Sequence, residues 1–433
     1  MAEQTIQINT RGPVVRALIV LSLVLALVWS WFVVRWYIGD TLAEYLDPET
    51  SSIDNAKRAI SLGPSDPFTH WRLADFIEKK LPPDQLGLAV KEYELAASLS
   101  PNDYRFWTAY GTALEQVGDM ERAEQALRRA VELAPAYSRP RWYLGNLLLR
   151  RGQFREAFAE LQRASNADPE LRSQLFNLAW QVYKDDLSSL ERAIGDAPEA
   201  RALFAQYLLG RDRFDEGLRL WNTLTDTEKR ANRSTGEVII RSLIARQRFH
   251  RAISIWNDLA PSLASRAALE HFINGGFEDD VAQGAGAVFD WQVQSSQQLQ
   301  IAIDPNHAHS GTRSLRLVFQ VRSRLDSVNL SQLAPIKPAK EYEFECYVKM
   351  QKLETAANLN IAITDAADGS VLATSAPAPT GTNDWKLISL SFKTGPKAEA
   401  IIMRLDRPSC GENIVCPIFG TIWYDDFNLK PRN

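Results

Sequence analysis

The chain has 433 residues, 45% hydrophobic and 24% charged, a composition ordinary for globular material and long enough for two or three domains with substantial cores. Its formal net charge is −4, with 34 basic against 35 acidic side chains in residues 1–273 and 15 against 18 in the remainder. Neither part has the basic excess of a nucleic-acid binder.

The first 40 residues hold an apolar run, "ALIVLSLVLALVWSWFVV" from Ala17 to Val34, which contains 18 residues and no charge. As a helix it spans roughly 27 Å, close to the thickness of a bilayer core. It continues into bulky "WFVVRWYIGD" rather than the small residues of a cleavage site, so it reads as an uncleaved anchor over 17–38. Trp29, Trp31, Trp36 and Tyr37 then lie toward one interface. Arg11 and Arg16 precede the run, whereas Asp40, Glu44, Asp47 and Glu49 follow it with one close base, Arg35. The positive-inside bias predicts a cytoplasmic tail over 1–16, a single pass through an inner membrane, and the bulk of the chain in a periplasmic or extracellular space. Cys410 and Cys416 sit close together in "CGENIVC", where a disulfide would suit an oxidising compartment and two unpaired loop thiols are the alternative. Cys346 shares an alternating face with Tyr342, Phe344 and Val348 and reads as a core residue.

Pro101, Pro135 and Pro169 are each separated by 34 residues, and the segments between them align. Trp107, Tyr110, Gly111 and Leu114 form one helical stripe, and after a Gly118-Asp119 turn Ala123, Leu127 and Ala130 form a second. Leu144, Gly145, Leu148, Gly152, Ala157, Leu161 and Ala164 take the same places in the next unit. Small residues at 111, 123, 145 and 157 would let paired helices approach closely, and each proline would stop its second helix. Downstream, "RFDEGLRLWNTL" and "RFHRAISIWNDL" are copies 35 residues apart. Trp107, Trp142, Trp221 and Trp256 fall at packing spacing and are expected in the core.

This pattern resembles the tetratricopeptide repeat family, with five or six helical hairpins expected between about residue 42 and 265. Upstream the match is offset by two residues at Trp71, Ala74 and Asp75, which points to an insertion at "LPPDQLG". The resemblance implies a superhelix whose concave face holds a protein partner, the alternative being a spacer that lifts the next domain off the membrane.

At "NGGFEDD", residues 274–280, the composition shifts to Ser, Thr, Val and Gly with strict alternation. Leu315, Leu317 and Phe319 alternate with Arg316 and Val318; Tyr342, Phe344, Cys346 and Val348 alternate with Glu343, Glu345 and Tyr347. Short strands punctuated by "HSGTRS", "DAADGS" and "PTGTNDW" indicate an antiparallel sandwich. The predicted fold class is multidomain α plus β: one transmembrane helix, an α-helical tetratricopeptide-type solenoid over 39–265, a linker over 266–273, and an antiparallel β-sandwich of jelly-roll type over 274–431.

The order "NGGFE", "FDWQV", "HSGTRSLRLVF", "YEFECYVKM", "DWKLISLSF", "IWYDDFNL" is similar to the landmarks of the jelly-roll carbohydrate-binding modules found beside xylanases and glucanases, within the galactose-binding-like group. Alternation places Asp425 on the same face as Trp423, Phe427 and Leu429, pointing inward, so it must meet a cation, a base or backbone N–H groups. The resemblance implies a structural calcium held by Glu278 and Asp425, hydrogen bonding without metal being the alternative. A glycan site needs an aromatic platform flanked by hydrogen-bonding groups off the core, and the candidates are Tyr347, Trp291, Trp385 and Arg316.

The five histidines, His70, His250, His271, His307 and His309, show no helical metal pair. A surface metal site at His307, His309 and Asp304 competes with a plain polar turn. No phosphate loop, nucleophile elbow or carboxylate pair stands out, so the expectation is a non-catalytic protein. Its expected role is to hold a protein partner on the repeats and a glycan on the sandwich, in envelope polysaccharide assembly or export. A pure protein scaffold and an accessory part of a glycan-processing complex are the alternatives.

Overall fold

The computed structural model describes residues 12–47, 49–80, 82–260, 266–284, 288–321, 328–408 and 416–432. Cys410 and the tail up to residue 11 lie outside the described residues. The chain divides between Asp196 and Ala197 into two compact units.

The first unit opens with one long helix, α1 (Pro13–Tyr45), followed by α2 (Ile53–Leu62) and α3 (Pro67–Lys80). Antiparallel pairs follow: α4 (Leu86–Leu99) on α3, α5 (Tyr104–Gln116) with α6 (Met120–Leu133), and α7 (Ser138–Arg150) with α8 (Phe154–Ala167). The shorter α9 (Arg172–Tyr183) and α10 (Leu187–Ile194) complete it. The repeat glycines act as the spacing implies. A Cβ on Gly111 would stand 2.6 Å from Leu127 Cγ, and one on Gly145 would stand 2.6 Å from Leu161 Cγ, so only hydrogen lets each pair close. Asp103 and Asp119 cap α5 and α6 by accepting from Arg105 and Arg122 N–H. The offset before α4 is taken up by a short 3₁₀ turn at Pro83–Gln85.

The second unit begins with α11 (Pro198–Gly210), α12 (Phe214–Asn222), α13 (Asp226–Ala231), α14 (Arg233–Ala245) and α15 (Phe249–Leu259). Here Gly217 replaces the close-approach role, lying against Leu209 and Ala205, and Trp221 is fully buried with its indole N–H on Asp258 at 3.0 Å. Trp107, Trp142 and Trp256 are only half-buried, so of the four repeat tryptophans Trp221 alone is a core residue.

Ten strands complete this unit: β1 (Gln292–Val293), β2 (Leu299–Asp304), β3 (Ser314–Val321), β4 (Leu330–Pro335), β5 (Glu341–Thr355), β6 (Asn360–Asp365), β7 (Val371–Thr374), β8 (Gly381–Lys393), β9 (Ala400–Asp406) and β10 (Ile418–Arg432). They form two antiparallel five-stranded sheets, ordered β1-β4-β9-β6-β7 and β2-β3-β10-β5-β8. Their inner faces share one core that includes Leu315, Leu317, Phe319, Tyr342, Phe344, Cys346, Ile361 and Met403.

Residues 266–273 are not a free connection. Asn257 and Ala267 exchange two hydrogen bonds, Glu270 N donates to Pro335 O at 2.7 Å, and the Tyr342 hydroxyl donates to Glu270 Oε1 at 2.9 Å. His250 N donates to Glu399 at 3.0 Å, His250 Nε2 meets Ile336 O at 2.7 Å, and Trp256 packs edge-on against Phe289. The helices of this unit and its sandwich are therefore one packed body.

Candidate glycan-binding face

The outer face of the sheet β2-β3-β10-β5-β8 collects most of the predicted residues. Register places Arg316 opposite Trp423 and Trp423 opposite Lys349, a row crossing β3, β10 and β5. The next row runs from Asp425 to Tyr347 to Leu387. Directly opposed residues in antiparallel strands share a face, so Arg316, Tyr347 and Trp385 stand on the same surface. Trp291 does not. It is fully buried between the sheets, packed on Phe277, Phe427 and Phe272, with its indole N–H on Asn274 O at 3.1 Å. A ring with no exposed face cannot serve as a sugar platform.

Asp425 also departs from the alternation. A bulge between Asp425 and Asn428, with Asp426 at φ 54°, shifts the phase of β10. Before it, Ile422 and Tyr424 face the core while Trp423 and Asp425 face outward; after it, Phe427 and Leu429 face inward. Asp425 is nonetheless fully buried, because the β2–β3 loop folds over it. Asp425 Oδ2 accepts His309 N–H at 2.7 Å and Ser310 N–H at 3.3 Å, and Oδ1 accepts Asp426 N–H at 2.8 Å. Glu278 grips the other end of the same loop, accepting Thr312 N–H at 2.8 Å and Arg313 N–H at 3.1 Å.

Backbone N–H groups therefore answer Asp425, and among the described residues no base does. Burial, with the neighbouring Asp426 charge adding to it, pushes the Asp425 carboxyl up to about 6 despite these N–H bonds. Glu278, by contrast, is held below the usual range by the Thr312 hydroxyl and N–H. These N–H bonds are the metal-free alternative, while the hard carboxylate oxygens of Asp425 and Glu278 are also the donor type a calcium ion would take. Among the described residues no group of three or more His, Cys, Asp or Glu side chains converges to hold a metal, so further ligands would be neutral oxygens such as backbone or side-chain carbonyls and water. His307 and His309 do not pair on a metal: His307 meets Asp304 at 3.1 Å, and His309 Nδ1 meets Asp426 at 2.6 Å.

The loop lays its two imidazoles on the sheet. His307 leans on Trp423, and His309 stacks on Tyr347 with ring centres 3.5 Å apart and planes 14° apart. Trp385 meets the edge of His309 at 5.7 Å and is half-buried. Beside it Lys349 pairs with Asp384 at 2.8 Å and lies 6.0 Å over the Trp385 ring. A shallow cavity of about 170 Å³ opens here, lined by His307, Lys349, Gln351, Asn383, Asp384 and Trp423. Arg316, half-exposed, reaches Asp304 at 3.7 Å. Sequence reasoning singled out His307 and His309 as a polar turn or surface metal site and missed that they cover Trp423 and Tyr347, a long-range packing that no local pattern announces.

Residues 269–409 match the family model for a carbohydrate binding domain, and residues 114–179 match one for a tetratricopeptide repeat. The C-terminal region is thus carbohydrate-binding-like and the N-terminal region carries tetratricopeptide repeats. No curated protein matches the chain. Among solved structures, the chain is similar to "CBM4 structure and function" at 12% identity, over 37% of this chain and all of that one, with TM-score 0.28. It is also similar to Pseudomonas aeruginosa PilF at 18% identity, over 44% of this chain and 89% of that one, TM-score 0.32. MamA from Desulfovibrio magneticus RS-1 matches at 18% identity, over 37% and 90%, TM-score 0.31. Both matched families are of non-catalytic kinds.

Of the predicted disulfide pair, Cys416 is disulfide-bonded and Cys410 lies outside the described residues, while Cys346 is a buried free thiol.

Proposed function

We propose that this is a non-catalytic, membrane-anchored binding protein that takes a glycan on the outer face of the sheet β2-β3-β10-β5-β8 and a protein partner on its repeats. The observation that carries the glycan reading is the half-exposed Trp385 on the same sheet face as an open cavity lined by Lys349, Asn383, Asp384 and Trp423: an aromatic ring beside a hollow of hydrogen-bonding groups is what pyranose recognition needs. The partner reading is supported by α4, which exposes Leu88, Leu95 and Leu99, and by the half-open groove of Trp107, Tyr110, Arg122 and Arg129. Anchoring is supported by α1, a helix long and apolar enough to cross a membrane with its apolar run exposed. The disulfide at Cys416 supports placing the bulk in an oxidising periplasmic or extracellular space, and envelope polysaccharide assembly or export is the setting that combines these parts. Structural calcium at Glu278 and Asp425 belongs to the same proposal.

Native electrophoresis of the full chain in nanodiscs, through gels with and without embedded polysaccharides, tests the reading. Retardation by a polysaccharide that Trp385→Ala abolishes supports it; equal mobility in every gel refutes it. A specific observation favours the scaffold alternative: His309 covers the Tyr347 face that a sugar would use. On that reading no gel retards the protein, and partner binding follows α4 substitutions instead.

A further inference from the structure

We infer that the turn between α2 and α3, residues 63–66, is seated in the lipid headgroup layer, so that the first hairpin of the solenoid is itself a membrane-contacting surface. The inference rests on reading α1 as the anchor and goes beyond it, because an anchor alone could end in a free linker.

No such linker exists. The helix continues unbroken from Pro13 to Tyr45, and its last third is packed into the helical array, with Gly39 and Ala43 buried. A Cβ built on Gly39 would meet Gly63 N at 2.9 Å and Ala59 O at 3.0 Å, and one built on Gly63 would meet Trp36 Cδ1 at 3.6 Å. The Arg35 guanidinium donates to Ser61 O, and about two turns further along α1 Arg72 Nε donates to Ala43 O at 2.8 Å. These contacts fix both the height and the direction of the first hairpin: α2 descends toward the apolar run, the turn is its lowest point, and α3 climbs away.

The height follows from helix geometry. The uncharged run ends at Val34, so Trp36 lies about 3 Å and Gly39 about 7.5 Å beyond it along the axis. A headgroup layer is about 5–7 Å thick on each side of the hydrocarbon core. The turn that touches Trp36 and Gly39 lies between these two heights, at the outer part of that layer.

The surface chemistry agrees. Trp36 and Tyr37 are exposed, 47% and 62%, as amphipathic rings at this depth should be. Pro64 and Ser65 are exposed and uncharged, and the one acid of the turn, Asp66, is buried with its carboxyl held above the usual range by burial and by Asp40. The turn therefore offers the bilayer a small, nearly neutral face.

Full-length protein carrying a nitroxide at Val28→Cys, Ser65→Cys or Lys80→Cys, reconstituted in phosphatidylethanolamine and phosphatidylglycerol vesicles, tests this by power-saturation depth measurement. Lys80 sits at the far end of α3, about 20 Å from Pro67, and serves as the aqueous reference. The expected result is an oxygen-to-nickel collision ratio at Ser65 several-fold above that at Lys80, and highest at Val28. A ratio at Ser65 equal to that at Lys80, with Val28 still in the bilayer, overturns the inference and leaves the anchor standing. An aqueous ratio at Val28 overturns both.

Discussion

The imidazole of His309 lies flat on the ring of Tyr347, 3.5 Å between centres, and is held there by Asp426 at 2.6 Å. The most suggestive aromatic on the sheet face is thus already occupied by the protein's own loop.

His309→Ala should uncover that ring. If the glycan uses Tyr347, displacing His309 costs binding energy on the order of an aromatic pair, about 0.5–1.5 kcal/mol, so the variant should bind roughly 2- to 10-fold more tightly. Titration of His309→Ala against the double variant with Tyr347→Ala checks this, since the gain must vanish in the double variant.

Asp425 gives a pH signature. Its carboxyl titrates near 6 in the fold against 3.8 in an unfolded chain, so its contribution to stability is full below pH 4 and is lost as pH rises through 6. The loss is roughly 3 kcal/mol by the usual conversion. Melting temperatures in chelator should fall across that window, and Asp425→Asn should flatten the profile. Calcium bound at Glu278 and Asp425 would restore stability above pH 6 and do little below pH 4; identical melts with calcium and chelator at pH 7.5 would remove the metal from the account.

Trp291 and Trp385 should separate cleanly. Trp291→Ala empties a filled core site and should cost about 3–5 kcal/mol of stability. Trp385→Ala should leave the melt nearly unchanged and weaken glycan binding. Denaturant melts of both variants, paired with binding, show whether the two effects divide this way.

In the repeats, Gly111→Ala should cost about 1–3 kcal/mol because its methyl would collide with Leu127. Gly87→Ala, where nothing lies within 4 Å, should instead gain up to about 1 kcal/mol from helix propensity. Urea titration of the two variants tests the pairing geometry directly.

What the sequence made legible was whatever repeats locally. The Gly111–Leu127 and Gly145–Leu161 contacts recur at a fixed spacing, so their pattern survives without a structure. Strand alternation likewise placed Tyr342, Phe344, Cys346 and Val348 in the core. The burial of Asp425 and its need for partners agree with the sequence, but its face does not, because one left-handed residue, Asp426, inverts the phase of β10, and period-2 reasoning has no means of seeing a bulge. Trp291 flanks a two-residue strand too short to show a face. The docking of His250 on Glu399 joins residues 149 apart, and no local pattern encodes it. Alternation places Arg316 and Tyr347 off the core and Trp385 stands at a strand edge, whereas the stacking of His309 on Tyr347 has no local signal.

The central claim is that the sheet face centred on Trp385 receives a glycan. Calorimetric titration of the full chain in nanodiscs with fractionated envelope polysaccharides, wild type beside Trp385→Ala, tests it most directly. The account expects saturable heat with at least one fraction from the wild type and none from the variant. No heat from folded wild type with any fraction, or equal heat from both proteins, would contradict it.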